Sequence, residues 1–221
     1  MSPELVKLIL AATAETLYMV AAAGLIGTLI GLPLGIFLAT SGKGELYQAV
    51  PVNRVLGIVV NATRSTPFII LVVAIIPFTR LIAGTSIGTS AAIVPLTVAA
   101  APFIARIIEA AIREVDQGLI EASKAMGASS LQIVLKVLLP EALPAIVLGL
   151  TLTAVSLIGY SAMVGAVGGG GLGDLGIRFG YQRFMPDVMI AVVVVLIVLV
   201  QAVQTTGEAI ARKVNKRIRR G

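Results

Sequence analysis

The chain has no cysteine, no histidine and no tryptophan among its 221 residues, and only 13% of it is charged. Without thiols there is no disulfide and no thiolate nucleophile. Without imidazole the usual general base and the commonest metal ligand are missing. Nothing matches GxxxxGK[ST] either, so the chain carries no phosphate-binding loop of that kind with its lysine. These absences argue against catalysis within this polypeptide, against a metal site, and against a bound cofactor.

Apolar residues, by contrast, are abundant: 57% of the chain is hydrophobic and the mean hydropathy is +1.02, where a soluble domain has about 45–50% apolar residues. A bilayer core of roughly 30 Å needs about 20 mainly apolar residues per helix. Five runs meet that length, over residues 16–40, 56–82, 87–108, 143–167 and 186–207. The expected fold is all-α, a polytopic membrane protein forming one transmembrane domain over 1–221. The second run is the least regular, because it contains Asn61, Arg64 and Pro67, and its start falls between Val55 and Thr66. The N-terminus carries Glu4, Lys7 and Glu15 ahead of a run too long for the apolar core of a signal peptide, so the first span is expected to stay in the membrane.

The cations set an expected orientation. With the N-terminus outside, thirteen of the 17 Lys and Arg residues fall on the cytoplasmic side: Lys43, Arg54, Arg64, Arg106, Arg113, Lys124, Lys136 and six in the tail. Only Lys7, Arg80, Arg178 and Arg183 fall outside. That asymmetry follows the positive-inside rule. The basic tail over 212–221 suits attraction to anionic lipid, each cation contributing about 1 kcal/mol near the surface. No folded reader or aromatic stacking surface accompanies it, so nucleic acid is not an expected partner.

Between the third and fourth runs lies a cytoplasmic loop, 113–141, holding the polar, glycine-broken segment EASKAMGASSLQIVLKVLLP from Glu121 to Pro140. Ala122, Ser123, Ala125 and Ala128 are small enough to let a partner approach, with Lys124 and Met126 between them. Gly127 permits a sharp bend. The segment reads as a docking knob. It also reads as an amphipathic helix on the membrane, since Ile133, Val134, Val137 and Leu138 recur at helical spacing. The later half can pack on the bundle while the earlier half docks.

The spacing Glu121-Ala122-Ser123, then Gly127, then Val137-Leu138-Leu139-Pro140 resembles the Glu-Ala-Ala…Gly…Ile-x-Leu-Pro motif of the permease subunits of bacterial binding-protein-dependent ABC importers. Ser123 for Ala and Val137 for Ile are mild departures. Arg64-Ser65-Thr66-Pro67 is similar to the element that opens the second span in amino-acid importers. The runs Ile76 to Gly88, Ala91 to Arg106 and Gly159 to Gly173 look like the methionine importer permease family. The resemblance covers nearly the whole chain and implies a type I importer permease in a bacterial inner membrane. Five spans, an external N-terminus and a cytoplasmic C-terminus belong to that expectation.

The same resemblance implies that a helix around Ala122 to Leu131 inserts into a groove on a partner ATPase, which binds the ATP and magnesium. Glu121 is expected at the helix start, beside the positive end of the dipole. Two ATPase subunits closing on ATP would draw two knobs together and switch the spans between inward and outward access. An external binding protein would deliver substrate. Methionine rests on the resemblance alone; another amino acid fits the residues equally, and an ion-coupled carrier or channel remains the alternative class. That class calls for buried acids or histidines in the spans, of which there are few and none.

Five helices are too few to enclose an amino-acid path, so a homodimer with the path on its two-fold axis is expected. Gly24, Gly27, Gly31 and Gly35 in the first span suit either close contact with a second copy or packing within one chain. Ser156, Tyr160 and Met163, at i, i+4 and i+7, share one helical face. They read as a pathway wall with Met163 as gate, or as ordinary packing. Arg64 within a span reads as functional, or as a cation snorkelling to the inner interface. The glycines from Gly165 to Gly176 follow a membrane helix, not a buried strand, and suit tight packing on the outer side better than nucleotide binding.

Overall fold

The computed structural model describes residues 3–215, so most of the basic tail (Lys216 onward) lies outside the described residues. Among these the chain is helical, with no strand. It begins with α1, Pro3–Thr40. A second helical unit is built from α2, Val50–Ser65, α3, Phe68–Ala74, and α4, Ile76–Ala83. Then come α5, Thr89–Arg113, and α6, Gln117–Ala125. The short α7, Ser130–Ile133, runs through a π-helical turn, Val134–Leu138, into α8, Leu139–Ala166. The last elements are α9, Gly171–Leu175, a π-helical turn, Gly176–Tyr181, and α10, Pro186–Val214. Four helices are long and apolar enough to cross a membrane, or five if the bent pair α2 and α3 counts as one span.

The first helix starts thirteen residues ahead of the expected run, at Pro3, and Ile9 and Ala12 of this extension are buried in a cluster with Leu172, Leu175, Val188 and Val192. The second span departs most from expectation. Its helix begins at Val50, ahead of the Val55–Thr66 window, because Pro51 in the first turn needs no hydrogen bond and so does not oppose helix. It then breaks, turning by 105° into α3. The Arg64-Ser65-Thr66-Pro67 element therefore sits at the break inside the span and does not open it. Pro67 supplies the cause: it holds Thr66 extended, at φ −81° and ψ 126°, and has no N–H to continue the helix. The hydroxyls of Thr63, Ser65 and Thr66 donate to the carbonyls of Val59, Asn61 and Ala62; the last of these is an oxygen the broken helix leaves without its amide, since the Thr66 N–H donates to Thr63 instead.

At the centre, α1 lies along α5, and α5 also packs on α8. The glycines of α1 make this possible. A Cβ on Gly31 would lie 2.7 Å from the Ala101 carbonyl oxygen, and one on Gly35 would lie 2.5 Å from that of Ala105. Gly27 faces Ala100 in the same way, while Gly24 meets Leu157 of α8. The glycine stripe thus packs within the chain, and its buried face is not available to a second copy.

The glycine stretch that follows α8 also packs tightly. Gly165 and Gly173 bring the α8 and α9 backbones against each other with no space for a side chain. Glu15 accepts a hydrogen bond from the Gly171 amide at 2.7 Å, and Thr16 accepts one from Leu172 at 2.9 Å. In that way α1 holds the turn that sends the chain back along α8.

Candidate functional site

Two places collect the residues singled out in the sequence. The first is the loop from Asp116 to Leu138. Asp116 caps α6, accepting from the Gly118 amide at 2.7 Å. Glu121 is therefore in the second turn, not at the helix start, and the dipole argument for it lapses. Residues 122–131 do not form one helix either: α6 ends at Ala125, and Gly127, at φ +78°, turns the chain. That φ is strained for any residue with a Cβ. Ser129 restarts the helix with a capping box, its amide donating to Gln132 Oε1 at 2.9 Å.

Within this bend Glu121, Ala122, Lys124, Ala125, Met126 and Gly127 are exposed, Ala128 is half-buried and Ser123 is buried. Ser123 faces the protein, its hydroxyl donating to the Leu119 carbonyl at 2.6 Å. The large exposed apolar side chains of this loop are Leu119, Met126 at 81% exposure, Leu131 and, farther on, Leu135. Leu131 closes the segment expected to dock, whereas Leu119, two residues ahead of the Glu121 motif, was not anticipated. Farther on, Ile133, Val134 and Leu138 are buried in the main core. The later half of the segment packs on the bundle and the earlier half stands free. Pro140 lies in the first turn of α8 and lines a cavity of about 180 Å³ with Glu114, Glu141 and Asn215.

The second place is the break between α2 and α3. A cavity of about 130 Å³ there is lined by Arg64, Thr66, Phe68, Phe103, Ser156 and Tyr160, among others. Phe68 and Tyr160 stack, with centroids 4.4 Å apart and planes 14° from parallel. The Arg64 guanidinium lies 5.7 Å from the Phe103 ring centre. Its Cα is fourteen residues, about 21 Å, along α2 from Val50. Ser156 donates to the Leu152 carbonyl at 2.9 Å, which leaves its oxygen free to accept. Met163, 48% exposed, lies outside this cavity on the open side of α8. Phe68 and Phe103 were not singled out from the sequence, where single aromatics in apolar runs carry no signal. Only the bend brings Phe68 to Tyr160.

A guanidinium beside stacked rings and a hydroxyl can hold a small solute with a carboxylate at one end and an apolar group at the other. No group of three or more His, Cys, Asp or Glu among the described residues could hold a metal ion.

Residues 31–220 match the family described as the binding-protein-dependent transport system inner membrane component. The chain belongs to this family. The permease is 57% identical over 210 residues to the "Probable D-methionine transport system permease protein MetI" of Vibrio cholerae, covering 95% of this chain and 93% of that protein. It is 45% identical over 206 residues to the methionine import system permease protein MetP of Bacillus subtilis, covering 93% of each. In three dimensions it is similar to a chain of the MetNI methionine ABC transporter solved in inward-facing conformations. That match has a TM-score of 0.95 at 51% identity and covers 98% of this chain and 100% of the other. Family membership makes the chain a multi-pass inner-membrane transport component and sets aside the carrier and channel readings.

Proposed function

We propose that this chain is the permease subunit of an ATP-driven importer that moves methionine across the inner membrane by alternating access. The observation that carries the reading is the near-full-length likeness, in sequence and in fold, to permeases named for methionine transport. The chain itself transports; hydrolysis of ATP, with its magnesium, belongs to a separate ATPase. In the cavity, Arg64 suits the substrate carboxylate, and the stacked Phe68 and Tyr160 suit a thioether, since sulfur packs favourably against aromatic rings. Met163 serves as a gate on the open face of α8.

Closed ligand pockets occupy roughly 300–1,000 Å³. At about 130 Å³ the cavity is one wall of a site, and a second copy across a two-fold axis supplies the other. Two ATP-binding cassette subunits dock on the exposed bend at Leu119, Ala122, Met126 and Leu131, on the cytoplasmic side. An external binding protein delivers substrate to the opposite side, where the N-terminus lies.

The test is reconstitution of the permease with its ATPase and binding protein in proteoliposomes, measuring uptake of labelled methionine. Uptake is expected only with ATP inside, and Arg64→Gln should lower it about tenfold, the loss of one charge-assisted hydrogen-bond pair. ATP-driven uptake of another amino acid in place of methionine would overturn the substrate, and flux without ATP the mechanism.

A further inference from the structure

One charge cluster, centred on a buried carboxylate, takes no part in the two places above. Glu109 of α5 is 7% exposed, and both its oxygens are engaged. Oε2 accepts from Arg106, and Oε1 accepts from Arg113 at 2.9 Å. Arg106 then reaches out of its own helix, donating from Nη2 to the carbonyl oxygen of Gly57 in α2 at 3.0 Å. Gly57 matters because it has no side chain: a Cβ there would already touch Nη2, at 3.4 Å. The Nε of Arg106 is buried with no partner. A half-buried guanidinium whose one buried donor is idle has not been placed to maximise its hydrogen bonds. Charge inside a membrane helix bundle is costly and marks function by default.

The position of the cluster gives it a use. Arg113 lies in the last turn of α5, three residues before Asp116, the cap of α6. At the other end, Gly57 lies seven residues before Arg64, two turns along the same face of α2. The foot of α2 is pinned separately, Asn53 donating to the Leu38 carbonyl at 2.8 Å and to the Ser41 hydroxyl at 2.9 Å. Glu109 holds Arg106 and Arg113 in one rigid unit, and that unit grips the backbone of α2 between its pinned foot and its break. A grip on a carbonyl oxygen carries displacement of the helix as a whole and does not depend on side-chain packing.

We infer that Arg106 and Glu109 are positioning residues that carry movement of the α6 bend to the break in α2, so that the cavity around Arg64 opens and closes with the ATPase. The inference rests on the docking reading above, and a single set of labelling measurements separates the two. The native chain has no cysteine, so single cysteines report cleanly. In the assembled complex, Met126→Cys reads docking, and Thr63→Cys, in the cavity wall, reads the break. Labelling is compared with and without ATP and vanadate.

The expected result is protection of position 126 by the ATPase, and an ATP-dependent change in labelling at position 63 of about tenfold. Arg106→Met should abolish that change while ATP hydrolysis stays within about twofold, and Arg106→Lys should restore part of it. A purely structural role would lower assembly and hydrolysis together. Gly57→Val, which sets methyl groups against Nη2 and keeps every charge, gives the same readout if Arg106→Met fails to assemble. A response at position 63 that persists in these variants, or that is absent from the native complex while position 126 is protected, overturns the inference and leaves docking intact. Loss of protection at position 126 overturns the docking reading and the inference with it.

Discussion

Gly31 has a carbonyl oxygen of α5 where its side chain would be. Replacing it with valine must either part α1 from α5 or distort both helices, and overpacking of this kind costs about 1–3 kcal/mol. Gly31→Val should therefore lower the thermal unfolding temperature of the purified permease, whereas Gly159→Val, with open space around the glycine, should not. The three- and four-residue spacing of the α1 glycines was plain in the sequence, yet it fitted two surfaces equally. What resolves it is the identity of the opposing residues, Ala101 and Ala105, themselves small and seventy residues away. The same limit applied to Glu15. As a lone acid before an apolar run it read as a flank; the fold gives it the Gly171 amide as partner.

At the scale of elements, the bend between α6 and α7 depends on one backbone conformation. Gly127 sits at φ +78°, and a Cβ in that region costs about 1–2 kcal/mol. Gly127→Ala should thus reshape the proposed docking surface and lower methionine uptake in proteoliposomes more than it lowers the stability of the bundle, read as thermal unfolding. The bend was legible because glycine is its cause. The helix start was not, because Asp116 lies five residues before Glu121, outside the motif that drew attention. The break in the second span was signalled by Pro67, but its angle of 105° was not. Proline removes one amide and restricts the residue before it; the direction of the next helix is set by what Phe68 and Val72 pack against.

For the whole molecule, the charge distribution makes a claim that intact cells can test. Phe184, 86% exposed before α10, and Met126, 81% exposed after α6, lie on opposite sides of the membrane in the proposed orientation. With Phe184→Cys a membrane-impermeant thiol reagent should label cells whose outer barrier alone is opened; with Met126→Cys it should label only after the inner membrane is broken. The reverse pattern would invert the orientation. Composition alone determined the class of this protein, because burying so much apolar surface without a bilayer has no solution for so few charges. The sequence likewise determined the all-helical, polytopic architecture and the exposed, glycine-bent loop, since these follow from local runs and one residue's backbone freedom. Only the tertiary structure decided which glycine face is buried, which way α3 turns after the break, and that Arg64, Tyr160 and Phe68 share one cavity while Met163 stands outside it. Those outcomes depend on contacts between segments tens of residues apart, whose relative placement no local pattern encodes.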